Sequence, residues 1–159
     1  MRHLQSKLPL VLATAGLLVV GACGGDDPME PMEEFHADEV EGVTLSLSGQ
    51  TVASYDGHDG AWTGELEVEP GEETAHIGVQ FTDHDGHAVT LPSDFYLRVD
   101  VANESIAEFE QDTPGEFGGH LHGVAEGDTE LTFSLMHGAV GSGHADFVTA
   151  PLHVHVHEH

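Results

Sequence analysis

Residues 117–159 read FGGHLHGVAEGDTELTFSLMHGAVGSGHADFVTAPLHVHVHEH. This stretch has the clearest strand pattern in the chain, because apolar side chains occupy every second position in residues 131–135 and again in residues 152–156. In a strand, successive side chains point to opposite faces of the sheet. The pattern therefore predicts two strands with an apolar inner face. It also places histidines on the outer face of the last strand.

Residues 42–116 contain further short runs of the same kind and no amphipathic helix of useful length. The apolar-alternating runs lie at residues 43–47, 66–68, 77–81 and 95–99. Pairs typical of turns separate such runs, among them Asp56-Gly57, Pro70-Gly71 and Asp85-Gly86. Many short strands at this spacing predict an all-β sandwich of about seven to nine antiparallel strands. We assign residues 42–157 to this one domain.

Four segments of the predicted domain resemble the bacterial Ig-like domain, group 2. They read VEPGEET at 68–74, DHDG at 83–86, NESIAEF at 103–109 and GVAEGDTELT at 123–132. The resemblance covers residues 65–157 and implies a seven-stranded Ig-like sandwich with structural, adhesive or binding roles and no common catalytic site. The chain departs from the family in residues 42–64, in a glycine-rich hairpin at 138–143, and in having histidines where the family has ordinary polar residues.

Residues 1–22 are predicted to be a lipoprotein signal peptide. A cationic start is followed by an apolar run at residues 8–20, which is short for a membrane span. The run ends in VGAC at 20–23, which resembles the bacterial lipobox and makes Cys23 the expected lipidation site. Gly24 then favours the outer membrane by resemblance to known sorting rules. The alternative is an ordinary secretory signal with a chance cysteine. Cys23 is the only cysteine, so no disulfide forms within the chain.

The predicted mature chain is extremely acidic. Residues 23–41 combine glycine, proline and carboxylates with little apolar surface, which predicts a disordered tether. All 29 carboxylates follow residue 22 and Arg98 is the only later Arg or Lys, so the formal charge is 1 − 29 = −28. Such a surface repels nucleic acid and anionic lipid, so we expect membrane contact through the lipid anchor only. The composition resembles proteins of salt-loving bacteria. The alternative, which is compatible with the first, is that the carboxylates concentrate cations near the histidines.

A histidine-rich rim is the main candidate for chemistry. Two histidines alternate with a core leucine in residues 120–122, and two more flank the hairpin at 138–143. If the first strand ends at the same rim as the hairpin, imidazoles and a carboxylate converge in a set that suits Zn²⁺, Cu²⁺ or Ni²⁺. The alternative is that these are solvated polar positions on an acidic surface. The predicted ligands are His120, His122, His137, His144 and Asp146.

The last strand carries a row of histidines. Neighbouring members His153, His155 and His157 stand roughly 6.6 Å apart along a strand, so adjacent pairs can share one ion. A bare row lacks enclosure and second-shell order, so we expect loose binding and rapid exchange. Alternatively, these histidines merely fill an exposed face.

Other candidates are weaker. The Asp-Gly segments near residues 57 and 86 lack the glutamate that closes a calcium loop, so we interpret them as turns. His36 and His76 are isolated and receive no role. Ser142, His144 and Asp146 spell a catalytic triad, but residues two apart on a strand project in parallel, so we expect no enzyme.

The hypothesis from sequence is therefore an exported, lipid-anchored protein that captures, buffers or hands over zinc, copper or nickel. We expect it at the outer membrane, facing the periplasm or the cell surface, with an outer-membrane transport partner. The rival hypothesis is an acidic Ig-like structural or interaction module whose histidines have no metal role.

Overall fold

The computed structural model describes residues 35–158, and these form an all-β sandwich, as predicted. A short 3-10 helix at Ala37–Glu39 precedes eleven strands. The strands are β1 (Gly42–Leu47), β2 (Gln50–Asp56), β3 (Ala61–Gly64), β4 (Leu66–Val68), β5 (Ile77–Thr82), β6 (Phe95–Val101), β7 (Ala107–Glu110), β8 (Gly118–Gly123), β9 (Gly127–His137), β10 (His144–Val148) and β11 (Leu152–Val156). This is more than the seven to nine expected, because β2 and β3 are largely exposed and show little apolar alternation.

Two sheets make up the sandwich. The larger has the strand order β3-β2-β1-β5-β8-β7, and the other has the order β10-β9-β11-β4. The eleven-residue strand β9 organises the second sheet: β6 pairs along one stretch of it, while β10 and β11 pair with its C-terminal and N-terminal halves. All pairs are antiparallel except β4 with β11, which run parallel. The order places β8 in a different sheet from β9 and β10.

The core follows the alternation in residues 131–135 and 152–156. Leu131, Phe133 and Leu135 are fully buried, as are Leu152 and Val154. Each such side chain contributes about 1.5–3 kcal/mol of hydrophobic stabilisation when fully buried. The residues between them on β11 are the histidines, which lie on the outer face. The predicted alternation and the outward row of histidines are therefore confirmed.

Trp62 of β3 links the two sheets. Its indole N–H donates to the carbonyl oxygen of Ala150 at 2.7 Å, and its ring lies 5.6 Å from that of Phe133. Trp62 is partly buried, and an indole in such a position normally satisfies its N–H in this way while its ring contributes apolar area. The contact fixes the segment between β10 and β11, and so the start of the histidine-bearing strand.

The compact unit begins before residue 42. Val40 is only 4% exposed within the core cluster, and the ring of Phe35 packs edge-on against Phe95 at 4.9 Å. The structure therefore differs from the predicted tether at residues 35–41, because these two apolar side chains find partners in the core that the acidic composition does not reveal. The predicted signal peptide, Cys23 and the rest of the tether lie outside the described residues. Within residues 35–158, no helix is long and apolar enough to span a membrane.

Candidate metal sites

The hairpin between β9 and β10 brings two predicted ligands together. His137 ends β9 and His144 begins β10, and the two residues are direct cross-strand partners with ring centroids 5.3 Å apart. The glycine-rich turn between them is closed by hydrogen bonds from the N–H groups of Ser142 and Gly143 to the carbonyl oxygen of Ala139. The predicted hairpin at residues 138–143 is confirmed, and it holds the two imidazoles side by side.

Asp146 joins these two histidines because β10 contains a bulge. The pairing register shifts between Ala145 and Phe147, which leaves Asp146 without a cross-strand partner. Its carboxylate lies 2.9 Å from Nε2 of His144 and 3.5 Å from Nδ1 of His137. The side chain of Asp146 is only 16% exposed. We call His137, His144 and Asp146 the rim group, whose three potential ligand atoms all lie within 4.8 Å of one another.

The bulge also corrects an argument made from sequence. His144 and Asp146 were expected to project in parallel along a regular strand, which spoke against a proton relay; the register shift between them instead lets them pair directly at 2.9 Å. The Oγ of Ser142 hydrogen-bonds to the carbonyl oxygen of Ala139 at 3.4 Å. Ser142, His144 and Asp146 have the residue types of a catalytic triad, but the Ser142 hydroxyl donates to a carbonyl oxygen within the 138–143 turn.

The ring of His137 is held from two further sides. Its Nε2 lies 3.0 Å from the carboxylate of Asp94, and its face stacks on Phe95 with centroids 4.5 Å apart and planes within 10°. Nδ1 is thereby directed towards Asp146. A carboxylate on the far nitrogen of a histidine is the second-shell arrangement that orients metal-bound imidazoles in proteins.

The outer face of β11 carries a second group of the same composition. His155 contacts the carboxylate of Asp128 through Nδ1 and that of Glu65 through Nε2, the latter at 3.3 Å. Nε2 of His153 lies 3.7 Å from the same Asp128 oxygen. We call Asp128, His153 and His155 the strand group; their potential ligand atoms also lie within 4.8 Å of one another. His157 continues the row, with its ring 6.3 Å from that of His155.

The strand group therefore has more order than the sequence indicated. The row of histidines was expected to lack a second shell, but Glu65 occupies that position beside His155. Asp128 is the direct cross-strand partner of His155 on β9. The shared carboxylate is nevertheless open to solvent, with 63% of the Asp128 side chain exposed.

His120 and His122 do not join the rim group. They lie on the outer face of β8, in the six-stranded sheet, on either side of the fully buried Leu121. Among the described residues, neither belongs to a potential ligand group with His137 or His144. The predicted four-histidine site is therefore not assembled, because the strand before residue 124 and the hairpin belong to different sheets.

The surroundings of these two histidines are still specific. Nδ1 of His120 lies 3.0 Å from the carbonyl oxygen of Thr74, and this hydrogen bond raises the pKa of His120, with smaller contributions from nearby carboxylates such as Asp112. His122 lies between the carboxylates of Glu73 and Glu110, each 3.5 Å from its Nε2.

A third group was missed from sequence. His76, which received no role, lies with Asp112 and Glu116 so that one potential ligand atom of each falls within 4.8 Å of the others. We call these three residues the loop group. His76 precedes β5, and the pairing of Ile77 with Gly119 brings it to β8. The pairing joins β5 and β8, which are distant in sequence, so no local sequence pattern predicts it.

The electrostatic field around all three groups favours cations. Arg98 is the only Arg or Lys in residues 35–158, and it pairs with Asp100 at 2.9 Å on an exposed surface. No guanidinium or ammonium therefore neutralises the carboxylates beside the histidines in this part of the chain. A surface with one sign of charge raises the local concentration of ions of the opposite sign.

Comparisons with known proteins show no family for the chain. No family model matches it, so the resemblance to the group 2 Ig-like domain stays a prediction. The chain is similar to the voltage-dependent T-type calcium channel subunit alpha-1H of Rattus norvegicus, at 38% identity over 61 residues, which are 38% of this chain and 3% of the channel. Domains 4 and 5 of the S-layer protein SbsC give a TM-score of 0.43 at 20% identity, covering 60% of this chain and 49% of that one.

Proposed function

We propose that the chain binds a divalent transition-metal cation at the rim group. The observation that carries this proposal is the convergence of His137, His144 and Asp146 within 4.8 Å. Asp94 on the far nitrogen of His137 supports it, because a preset imidazole loses less freedom when it binds an ion. Imidazole and carboxylate ligands suit Zn²⁺, Cu²⁺ and Ni²⁺.

The proposed role is capture, buffering or hand-over of the ion. Three protein ligands leave at least one position of a four-coordinate ion for water or an acceptor, unlike a closed structural site. His144 is 71% exposed, so one side of the group is accessible from solvent. The more open strand group would add a weaker, faster-exchanging site on the same sheet.

Anchoring at the outer membrane is a further part of the proposal, supported by the lipobox-like VGAC at residues 20–23. A lipid on Cys23 would hold the domain near an outer-membrane transport partner that receives the ion. We expect Cys23→Ser to release the protein from the membrane fraction or to leave the precursor uncleaved, as seen by fractionation and mass spectrometry. Unchanged fractionation with normal processing would overturn this part and leave the metal proposal standing.

The metal proposal is tested on the tag-free protein by elemental analysis and by titration with Zn²⁺, Cu²⁺ and Ni²⁺. The wild type should bind one ion tightly at the rim, and His137→Ala combined with His144→Ala should remove that ion. The matched control is His84→Ala with His87→Ala. These two exposed histidines also contact carboxylates, Asp85 and Asp83, but they belong to no potential ligand group among the described residues.

The outcome separates the two hypotheses drawn from sequence. Tight, stoichiometric binding that only the rim variant loses supports a metal-binding role. Weak binding that falls equally in the rim variant and the control would mean that the carboxylate field attracts cations without a site. The acidic structural or interaction module would then be the better description.

A further inference from the structure

The imidazole of His120 lies next to the loop group, and hydrogen bonds hold the loop that carries its two carboxylates. His120 lies beside His76, with ring centroids 5.4 Å apart and planes at 81°. The Nε2 of His120 is 3.8 Å from the carboxylate of Asp112. Two imidazoles and two carboxylates therefore lie together on the outer face of the six-stranded sheet, and of these four residues only His120 had been given a role from sequence.

The tautomer of His120 is determined by its neighbour. A carbonyl oxygen can only accept a hydrogen bond, so the 3.0 Å contact with Thr74 requires the proton on Nδ1. In the neutral ring, Nε2 then carries the lone pair, on the side where Asp112 lies. Histidine ligands in metalloproteins are commonly oriented by such a hydrogen bond from the other ring nitrogen.

The carboxylates come from a loop that is tied to the fold. The amide of Gln111 donates to the carbonyl oxygens of Leu97 and Glu116, at 3.3 and 2.7 Å. The backbone N–H of Asp112 donates to the carboxylate of Glu116 at 2.6 Å. A carboxylate has two oxygens, so Glu116 can hold the loop and still offer a ligand atom.

His76 occupies space that only glycine leaves open. Its ring lies against Gly118, and a Cβ at that position would overlap the ring atoms Cε1 and Nε2. The ring of His76 therefore packs on the backbone of β8 next to His120, although His76 is exposed to solvent.

We propose that the loop group, together with His120, is a second transition-metal site, with Zn²⁺ as its first candidate ion. The ligands would be His76, His120 and Asp112, and Glu116 would serve as a fourth ligand or as the support of Asp112. Two imidazoles with two carboxylates satisfy the four-coordinate preference of zinc. This site lies on a different sheet from the rim group and shares no residue with it, so it does not depend on the function proposed above.

The test uses the full chain with the other two groups removed. In a background of His137→Ala, His144→Ala, His153→Ser and His155→Ser, titration with Zn²⁺ should still show one ion. Adding His76→Ala or His120→Ala should weaken that binding at least about 100-fold, beyond the roughly 10- to 100-fold typical of second-shell changes. Circular dichroism and the melting temperature verify that each variant is folded.

His122→Ala is the matched control. His122 lies two residues from His120 on the same strand and also contacts two carboxylates, Glu73 and Glu110. It should leave zinc binding unchanged, because the loop-group carboxylates are not among its contacts. Equal losses in the His120 and His122 variants, or no ion in the background protein, would overturn the proposal.

A spectroscopic readout covers the case in which a variant does not fold. In the unsubstituted chain, long-range ¹H–¹⁵N spectra should show Zn²⁺ shifting Nε2 of His120 while Nδ1 keeps its proton. A shift at His137 without one at His120 would support the rim group and reject this site. A shift at His120 without one at His137 would support the loop-group site and reject the rim group. The two proposals can therefore fail separately.

Discussion

The rim group and the strand group have the same chemical parts in two different settings. Each combines two imidazoles with one shared aspartate, and in each a second carboxylate contacts the far nitrogen of one histidine. They differ in the exposure of the shared aspartate, which is 16% for Asp146 and 63% for Asp128. They also differ in construction, because a bulge and a turn build the rim group while regular strand register builds the other.

Solvent access, rather than ligand type, separates the rim group from the strand group. A charge pair near water is weakened by the high dielectric constant and by salt, while a partly buried pair is screened much less. Asp146 should therefore attract a cation more strongly than Asp128. The strand group has an equally firm backbone, since β11 lies between β9 and β4. Its proposed weakness comes from exposure and not from disorder.

The largest expected effect comes from neutralising the shared aspartates one at a time. Asp146→Asn should reduce metal affinity at the rim group at least about 100-fold, more than the loss usual for second-shell changes, because it removes both a ligand charge and a partner of two imidazoles. Asp128→Asn should reduce metal affinity at the strand group by a smaller factor, because water already competes for the ion at this exposed carboxylate. Calorimetric titration with Zn²⁺ measures each loss of affinity, with the histidines of the other group and His76 and His120 of the proposed loop site substituted.

Asp146→Asn and Asp128→Asn together test whether burial of the shared carboxylate distinguishes the two groups. Asparagine keeps the size and shape of aspartate, so the fold should be retained in both proteins. Similar losses at the two groups would mean that burial of the shared carboxylate is not what distinguishes them. A larger loss for Asp128→Asn would reverse the ranking and make the strand group the main site.

A smaller effect is expected from the outer carboxylates. Asp94→Asn at the rim group and Glu65→Gln at the strand group each remove the charge beside a far ring nitrogen, of His137 and His155 respectively. Second-shell changes of this kind typically cost about 10- to 100-fold in affinity. The same Zn²⁺ titrations measure them.

The two outer-carboxylate variants should also differ from each other. The ring of His137 stays stacked on Phe95 when Asp94 is changed, so part of its orientation survives. Among the described residues, no phenyl ring stacks on His155, whose ring contacts are with His153, edge-on at 4.3 Å, and with His157. We therefore expect Asp94→Asn to reduce Zn²⁺ affinity at the rim group less than Glu65→Gln reduces it at the strand group. If Asp94→Asn has no effect at all, the stacking on Phe95 alone orients His137.

The sequence predicted those features that depend on local periodicity and turn chemistry. Alternation in residues 152–156 was enough to place His153 and His155 on an outer face, and glycines were enough to place the turn between His137 and His144. It could not predict the bulge, because the register shift at Asp146 depends on pairing with β9. It also could not predict that the row would have Asp128 and Glu65 as partners.

The errors have a common physical origin in sheet order. Nothing local to residues 118–123 states whether β8 joins the sheet of β9, so His120 and His122 were assigned to the rim. In the structure β8 pairs with β5 instead, and this pairing brings His76 beside His120, although His76 is isolated in the sequence. Long-range pairing decides which histidines meet, and a single sequence carries little information on it.

The smallest expected effect concerns the Asp83 turn, where backbone amides are the main partners of a carboxylate that the imidazole of His87 also contacts, at 3.6 Å. The N–H groups of His87 and Asp85 donate to Oδ1 of Asp83 at 2.8 and 2.9 Å. The hydrogen bond from His87 is the main reason that the pKa of Asp83 lies below its ordinary value of 3.8. This turn gives a reference for how a carboxylate behaves when no ligand group forms around it.

The sign of the pH effect follows from that shift. A carboxyl group with a lowered pKa in the folded state stabilises the fold above its unfolded value, here about 3.8, and loses this contribution as the pH falls through the folded value. Asp83→Asn should therefore lower the melting temperature slightly at pH 7, and the difference from wild type should disappear at acid pH, below the folded pKa. Because backbone amides hold the carboxylate, His84→Ala with His87→Ala should leave most of this acid-side profile unchanged in calorimetric scans. If the histidine variant instead changes the profile as much as Asp83→Asn, imidazoles hold this carboxylate too, and the contrast between the turn and the rim group is lost.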